Sequence, residues 1–421
     1  MPVEIDGADG GGQVVRTALA AAAVTGEPVR VESVRGDRPN PGLRPQHLAA
    51  VRALAAVADA DVEGATEGSE TLVFEPGTVR GGAVDVDVGT AGSVTLVCDA
   101  LLPVAAALPE PLSVTVTGGT DVKWSPPVDY LDRVKLPLLA GAGLDAGVDV
   151  ARRGFYPVGG GEVALTLAPW TPAPVPRGAA ERGPVRSLSV RAVATDGLAD
   201  AAVAERLAGA VAAGLGDDDA VARLVREAPP DRDVDLDPDE LRAGLGDGGN
   251  EDVGAGADGP GSGPAVDAGV AVGTAVDYVE AASPGASVLL VVEHGDADGE
   301  GGATDGESFD GTGGDGNGDG DGDARHRHRG RAGFAAIGER GVPAERIAGD
   351  VVRGFADWAG GPAAVDAHLA DQLLPFVALG GGRVRAPAVT DHLRTNAATL
   401  AAFGYELSIA ETDDGVVVER D

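Results

Sequence analysis

Cysteine is almost absent: Cys98 is the only one in 421 residues. That excludes an intramolecular disulfide and any cysteine-based zinc site. Lysine is nearly as scarce, confined to Lys123 and Lys135. No apolar run approaches the ~18 residues of a membrane span, and the alanine-rich run from Ala18 to Val24 reads as amphipathic core helix. Met1-Pro2-Val3-Glu4 leads into a strand pattern without a basic-then-apolar leader, so a cytoplasmic protein is expected. Two common phosphate-binding motifs are also missing. Lys123 precedes Trp and Lys135 precedes Leu, which removes a Walker A motif, and no Gly-x-Gly-x-x-Gly joins a strand to a helix.

What is abundant is negative charge, with a formal net value of −35. Such a carboxylate excess keeps a surface hydrated when salt is high, which points to a halophile's interior. It does not exclude a nucleic-acid substrate. At molar salt the Debye length is only about 3 Å, so arginines clustered in one cleft can hold phosphates despite the global charge.

Strand and helix patterns alternate from the start, so an α/β (α+β) fold is expected. Strands are expected at Val3–Ile5, Pro28–Val34, Thr71–Glu75, Val84–Val88 and Leu112–Thr117, and helices at Gln13–Thr25, Gln46–Ala58 and Ser93–Leu108. Glycine triplets at 10–12, 159–161 and 380–382 hint at an internal repeat. Thr171–Pro184 is Pro-rich and reads as a linker. A second unit follows it, with a strand at Val185–Ala194, a helix at Ala199–Ala213, strands at Thr274–Glu280, Ser287–Glu293 and Gly333–Ile337, and a helix at Ala344–Trp358. Within it, residues 244–264 and 295–331 are so rich in Gly and Asp that disorder is expected. Asp315–Asp323 looks like a calcium loop, but His326 stands where the bidentate glutamate belongs.

Four clusters carry candidate chemistry. The turn Asp9-Gly10-Gly11-Gly12 opens a helix bearing Arg16, which suits a phosphate with a carboxylate-held divalent metal, although a glycine-rich turn alone is usually only a turn. Arg35, Arg38 and Arg44 lie in a loop stiffened by proline and glycine, with Gln46 and His47 just beyond. Held guanidinium groups suit phosphate, and a loop paired with local carboxylates is the plainer alternative. His368, Asp371 and Gln372 share one helix face, fit for a nucleotide or for ordinary polar surface. His392 sits beside a helix N-cap, Thr390 or Asp391, where free N–H groups and the dipole favour phosphate and a neutral imidazole. A neutral imidazole beside phosphate is a nucleophile for phosphorus. On position alone it is more often a surface histidine near a cap.

Taken in order, these segments resemble RNA 3′-terminal phosphate cyclases. The resemblance rests on Asp9–Arg16, Arg35–Ala50, Gly89–Ser93, Gly118–Tyr130, Arg152–Glu162, Gly338–Gly341, His368–Pro375 and His392–Asn396. It implies a core of three repeated units, each a four-stranded sheet backed by two helices, at residues 1–184 and 362–421. A smaller α/β domain at 185–361 would be inserted between the second and third. It also implies the chemistry. His392 would attack the α-phosphate of ATP, with help from magnesium or manganese, and form a covalent histidine–AMP. The adenylate would pass to an RNA 3′-phosphate, and the neighbouring 2′-hydroxyl would close a 2′,3′-cyclic phosphate. By the same matching, Pro126 and His368 would flank adenine. Asp99, Leu369, Ala370, Asp371 and Gln372 would complete the nucleotide site, and Asp9 would serve the metal. Arg16, Arg35, Arg38, Arg44, Gln46 and His47 would contact phosphates.

Three positions depart from the family pattern: Asp9 where glutamate is common, Asp99 for glutamine and His368 for tyrosine. No obligate protein partner and no membrane contact are implied. A noncatalytic cyclase-like protein of ribosome assembly would share the fold but lack the histidine. An enolpyruvyl transferase would have a related architecture and likewise no nucleophilic histidine.

Overall fold

A computed structural model describes residues 1–217, 270, 272–295, 329–412 and 415–420. The stretch 244–264, the calcium-like run and most of 295–331 therefore lie outside the described residues. The ends of the last stretch do not fit the expectation of disorder. Gly295 N–H donates to Pro184 O, and Gly330–Ile337 is a strand that begins three residues before the expected one. Arg331 is held there by an ion pair with Glu293 on the neighbouring strand.

Two sheets repeat one plan. In the first, β1 (Val3–Asp6), β2 (Val29–Glu32), β3 (Asp61–Glu63) and β4 (Leu72–Glu75) lie in the order β1-β2-β4-β3. The parallel pair β1/β2 is joined through helix α1 (Gly12–Thr25), and β2 leads to β3 through α2 (Pro45–Ala58). The second sheet contains β5 (Gly82–Asp87), β6 (Leu112–Gly118), β7 (Ala146–Arg152) and β8 (Gly161–Leu167), ordered β5-β6-β8-β7. Its first crossover is expected to be one helix over Ser93–Leu108, but α3 covers only Val94–Leu101 and a 3₁₀ segment follows at Leu102–Ala107. Pro103 is the reason, since it lacks an N–H and its ring clashes with the preceding turn. Its second helix, α4, is composite: Val128–Tyr130, a π-helical Leu131–Lys135, then Leu136–Ala140.

The third unit departs from the expected four strands. Helices α7 (Ala367–Gln372) and α8 (Leu374–Gly380) lead to β13 (Gly382–Ala386). Helix α9 (Asp391–Ala402) then leads to β14 (Ser408–Thr412) and β15 (Gly415–Arg420). The order β13-β15-β14 reproduces the second, fourth and third strands of the plan and omits the first. Only Ala364 and Val365 run beside β13, both donating to Arg385 O, because Asp366 already caps α7.

A fourth sheet, β10-β9-β11-β12, is formed by Val272–Val279, Val185–Thr195, Ala286–His294 and Gly330–Ile337. Helices α5 (Val203–Asp217) and α6 (Ala344–Gly360) pack together and cover one face. The helix expected from Ala199 starts later because Ala202 adopts a left-handed φ of 47°. Strand β11 shows how the sheet joins the rest. Val288, Leu290 and Val292 enter the cluster under α5 and α6, while Leu289 and Val291 enter the large core shared by the three repeated units. Alternation with period two thus serves two cores at once. The Pro-rich segment 171–184 is packed too, with Ala179 fully buried and Val175 N–H donating to Gly381 O.

Candidate active site

A cleft of about 920 Å³ opens where α1, α3, α7, α9, the loop 35–44 and the end of β12 converge. It brings together Arg16, Arg35, Arg38, Arg44, Gln46, His47, Asp99, Pro126, His368, Asp371, Gln372 and His392. Residues spread over most of the chain therefore share one space. Leu369 and Ala370 are not in that lining, because both are buried under α7. Asp9 is exposed on the turn before α1 and does not line the cleft.

His392 stands in the first turn of α9, whose N-cap is Thr390: the threonine Oγ1 accepts from Leu393 N–H at 3.1 Å. Its imidazole Nδ1 lies 3.2 Å from Asp371 Oδ2. A carboxylate on one ring nitrogen fixes the ring and leaves the other, Nε2, for the cleft. The helices that carry this pair are locked together. Thr17 Oγ1 donates to Asn396 Oδ1 at 3.0 Å, Asn396 Nδ2 donates to Asp371 O at 3.4 Å, and Gln13 Nε2 donates to Thr395 Oγ1 at 3.1 Å. Thr17 and Asn396 are buried, so these bonds are sheltered from water.

Asp366 positions α7 from below. Its carboxylate accepts from His368 N–H, Leu369 N–H, Gly333 N–H and the Tyr130 hydroxyl. One buried side chain thus ties α7 to the fourth sheet and to α4. Gly333 must be glycine there, since a Cβ would come within 2.6 Å of the Tyr130 ring.

The phosphate-like end is built around His47. Arg44 N–H donates to its Nδ1 at 3.0 Å, so the ring proton belongs on Nε2. Burial, reinforced by Arg16, Arg35 and Arg44, pulls the His47 pKa down to about 3. The group is a neutral donor at any ordinary pH. Its Nε2 faces the glycine turn so closely that a Cβ on Gly12 would stand 2.2 Å away. Arg16 makes no side-chain hydrogen bond or ion pair among the described residues, though burial lowers its pKa against the opposing pull of Asp99 and Asp371. Arg38 is exposed and likewise unpaired. Arg35 is more committed: its Nη1 donates to Asn40 O and Gly42 O and closes its own loop.

Three of the four acidic side chains in the lining are paired with a lysine or arginine, and the fourth, Asp371, with the His392 ring. Asp99 Oδ1 meets Lys135 Nζ at 2.8 Å, Glu339 meets Lys123 at 2.8 Å, Asp350 meets Arg353, and Asp371 meets His392. The cleft is consequently left with unpaired cations inside an acidic protein. No group of three or more His, Cys, Asp or Glu side chains suited to a metal ion occurs among the described residues. Gln372 lines the cleft, and its Oε1 is buried without a hydrogen-bond partner among the described residues.

Sequence reasoning missed Lys135, Gln13 and Asn396. Lys135 carried a signal, as one of two lysines in a chain that otherwise uses arginine. The other two had none, because their partners are more than 370 and about 25 positions away.

A protein-family model described as RNA 3′-terminal phosphate cyclase matches residues 8–407. A protein of that name from Halobacterium salinarum is 40% identical over 425 residues, covering 98% of each chain. Another from Pyrococcus furiosus is 33% identical over 404 residues, covering 95% of this chain and 92% of its own. One from Thermococcus gammatolerans is 36% identical over 403 residues, with 95% and 92% covered.

Proposed function

Because the chain belongs to the RNA 3′-terminal phosphate cyclase family, enzymes of the ligase class that act in RNA processing, we propose that this cleft activates an RNA 3′-phosphate with ATP through a covalent histidine adenylate. The observation that carries the reading is the His392–Asp371 pair at the start of a helix, with unpaired arginine and a neutral histidine donor in the same cleft.

In the first step Nε2 of His392 attacks the α-phosphorus of ATP. The N–P bond forms, the bond from phosphorus to the bridging oxygen breaks, and pyrophosphate leaves. Asp371 holds Nδ1 and stabilises the positive charge that develops on the ring. Arg16, the Nε2–H of His47 and the backbone N–H groups that open α1 are assigned to the phosphate oxygens. An oxygen of the RNA 3′-phosphate then displaces the histidine from phosphorus, restoring the free ring. Finally the 2′-hydroxyl attacks the 3′-phosphorus, loses its proton and expels AMP.

Pro126 and His368 are assigned to the faces of adenine, and Gln372 completes the nucleotide site beside them. Asp99 is assigned to the nucleotide as well, in partnership with Lys135. Magnesium or manganese on the triphosphate would neutralise charge on its oxygens. The cleft's own carboxylates do not fit such an ion, since each is paired with a base, and Asp9 lies outside. The boundaries 1–184 with 362–421 for the catalytic core, and 185–361 for the inserted domain, are proposed on the same basis. Among the described residues no helix is long and apolar enough to cross a membrane.

Incubation with α-labelled ATP tests this directly. The protein should take up acid-labile, base-stable label, and His392→Ala should abolish both labelling and cyclisation. A persisting adduct in that variant would transfer the nucleophile to His368. Absence of any adduct in the unaltered protein, with RNA still bound, would favour the noncatalytic RNA-processing reading.

A further inference from the structure

Trp124 is 94% exposed, whereas the other two tryptophans, Trp170 and Trp358, are each 4% exposed. It lies on the rim of the cleft that holds His392. Its φ of 70° is in the left-handed region, which bulky residues seldom adopt. An outlier of that kind persists only where surrounding contacts enforce it, and those contacts are present here. On one side Lys123 is tied to Glu339 at 2.8 Å. On the other, Ser125 Oγ donates to Val122 O at 3.3 Å and Thr95 Oγ1 donates to Pro126 O at 3.1 Å. A pinned loop thus presents the largest apolar side chain in the protein to water at the entrance of its cleft.

We propose that Trp124 is a stacking platform for a base near the 3′ end of the RNA acceptor. The inference rests on RNA being the second substrate of this cleft. Adenine of ATP is the less suitable occupant, because its faces are already assigned to Pro126 and His368, while the indole is almost wholly in solvent. Stacking is sequence-tolerant, since every base has a π-face. It also answers a difficulty set by the net charge of −35. Contacts between arginine and phosphate weaken as salt rises, whereas burial of an aromatic face does not. A preorganised ring also costs little ordering on binding.

The experiment uses 3′-phosphorylated oligoribonucleotides carrying a single abasic site at each of the last three positions. With the unaltered protein, one of these positions should raise KM roughly 5- to 150-fold, the range of one base–aromatic stack. Trp124→Ala should raise KM for the intact oligonucleotide by a similar factor and show no further penalty from that abasic site. Trp124→Phe should recover part of the loss. Tyr156→Ala, another exposed aromatic that lies outside the cleft lining, should leave KM unchanged. Labelling by ATP without RNA should be equal in all four proteins. A second readout needs no turnover: the intact oligonucleotide should quench tryptophan emission in the unaltered protein and not in Trp124→Phe.

An abasic penalty that persists in Trp124→Ala, or quenching that persists in Trp124→Phe, would overturn the assignment. So would a loss of ATP labelling in Trp124→Ala, which would move the ring to the nucleotide. If the unaltered protein forms no adenylate at all, the proposed reaction fails, and the quenching experiment still decides whether RNA meets the ring.

Discussion

Asp371 and His392 are 21 positions apart in sequence and 3.2 Å apart at their polar atoms. The carboxylate accepts from Nδ1–H, which fixes the tautomer in which Nε2 carries a lone pair. Asp371→Asn can donate an amide hydrogen to Nδ1 instead, moving the ring proton to the nitrogen that must attack. We expect the rate of adenylate formation to fall roughly 10²- to 10⁴-fold, as when a histidine loses its orienting carboxylate. KM for ATP should change only a few-fold, because the helix face survives. Single-turnover labelling across an ATP series separates the two, and a rate within a few-fold of the unaltered protein would show that Asp371 does not orient the ring. At this scale the sequence was informative wherever chemistry is local: the spacing of His368, Asp371 and Gln372 already puts them on one face. It marked Lys135 only as one of two lysines, because its place beside Asp99 depends on a π-helical turn. It also gave Arg35 a freedom the folded loop takes away.

Helix α9 is the element on which the site depends, and its entry is set by one hydroxyl. Thr390 Oγ1 satisfies Leu393 N–H, one of four N–H groups with no partner inside the helix. Thr390→Ala should cost about 1 kcal/mol of stability, the usual value of such a cap. Because the fraying turn carries His392, adenylate formation should slow as well, and Thr390→Ser should restore both. Denaturant midpoints and labelling rates read the two effects, and a variant that loses stability with no change in rate would uncouple the cap from the nucleophile. Elements of this kind were legible where the apolar period is unbroken, as for α1 and α2, or where a cap marks the start, as for α9. They were misread where a single residue overrides the period: Pro103 divides the helix expected at 93–108. The third sheet was misread for a different reason. The segment before α7 is too short for a first strand once Asp366 is spent as a cap, a limit visible only in the hydrogen bonds.

At the scale of the whole molecule, two charge distributions oppose one another. The net charge of −35 repels RNA at long range, while Arg16 and Arg38, unpaired among the described residues, are proposed to attract phosphate in the cleft. An ordinary nucleic-acid enzyme loses affinity steadily as salt rises, because each neutralised phosphate releases counterions on binding. Here the order of screening differs. The Debye length shrinks from about 8 Å at physiological ionic strength to about 3 Å at 1 M, so the distant envelope is silenced before the contact arginines. RNA-end cyclisation should therefore rise with potassium chloride to a maximum well above physiological strength. The fold should tighten over the same range as carboxylate self-repulsion falls. Initial cyclisation rates and far-UV ellipticity, measured across one salt series, separate binding from folding. Parallel rises would assign the gain to folding, and a rate that rises after ellipticity has levelled would assign it to RNA capture. A rate that falls monotonically from low salt, at constant ellipticity, would show that the acidic envelope plays no part in RNA capture.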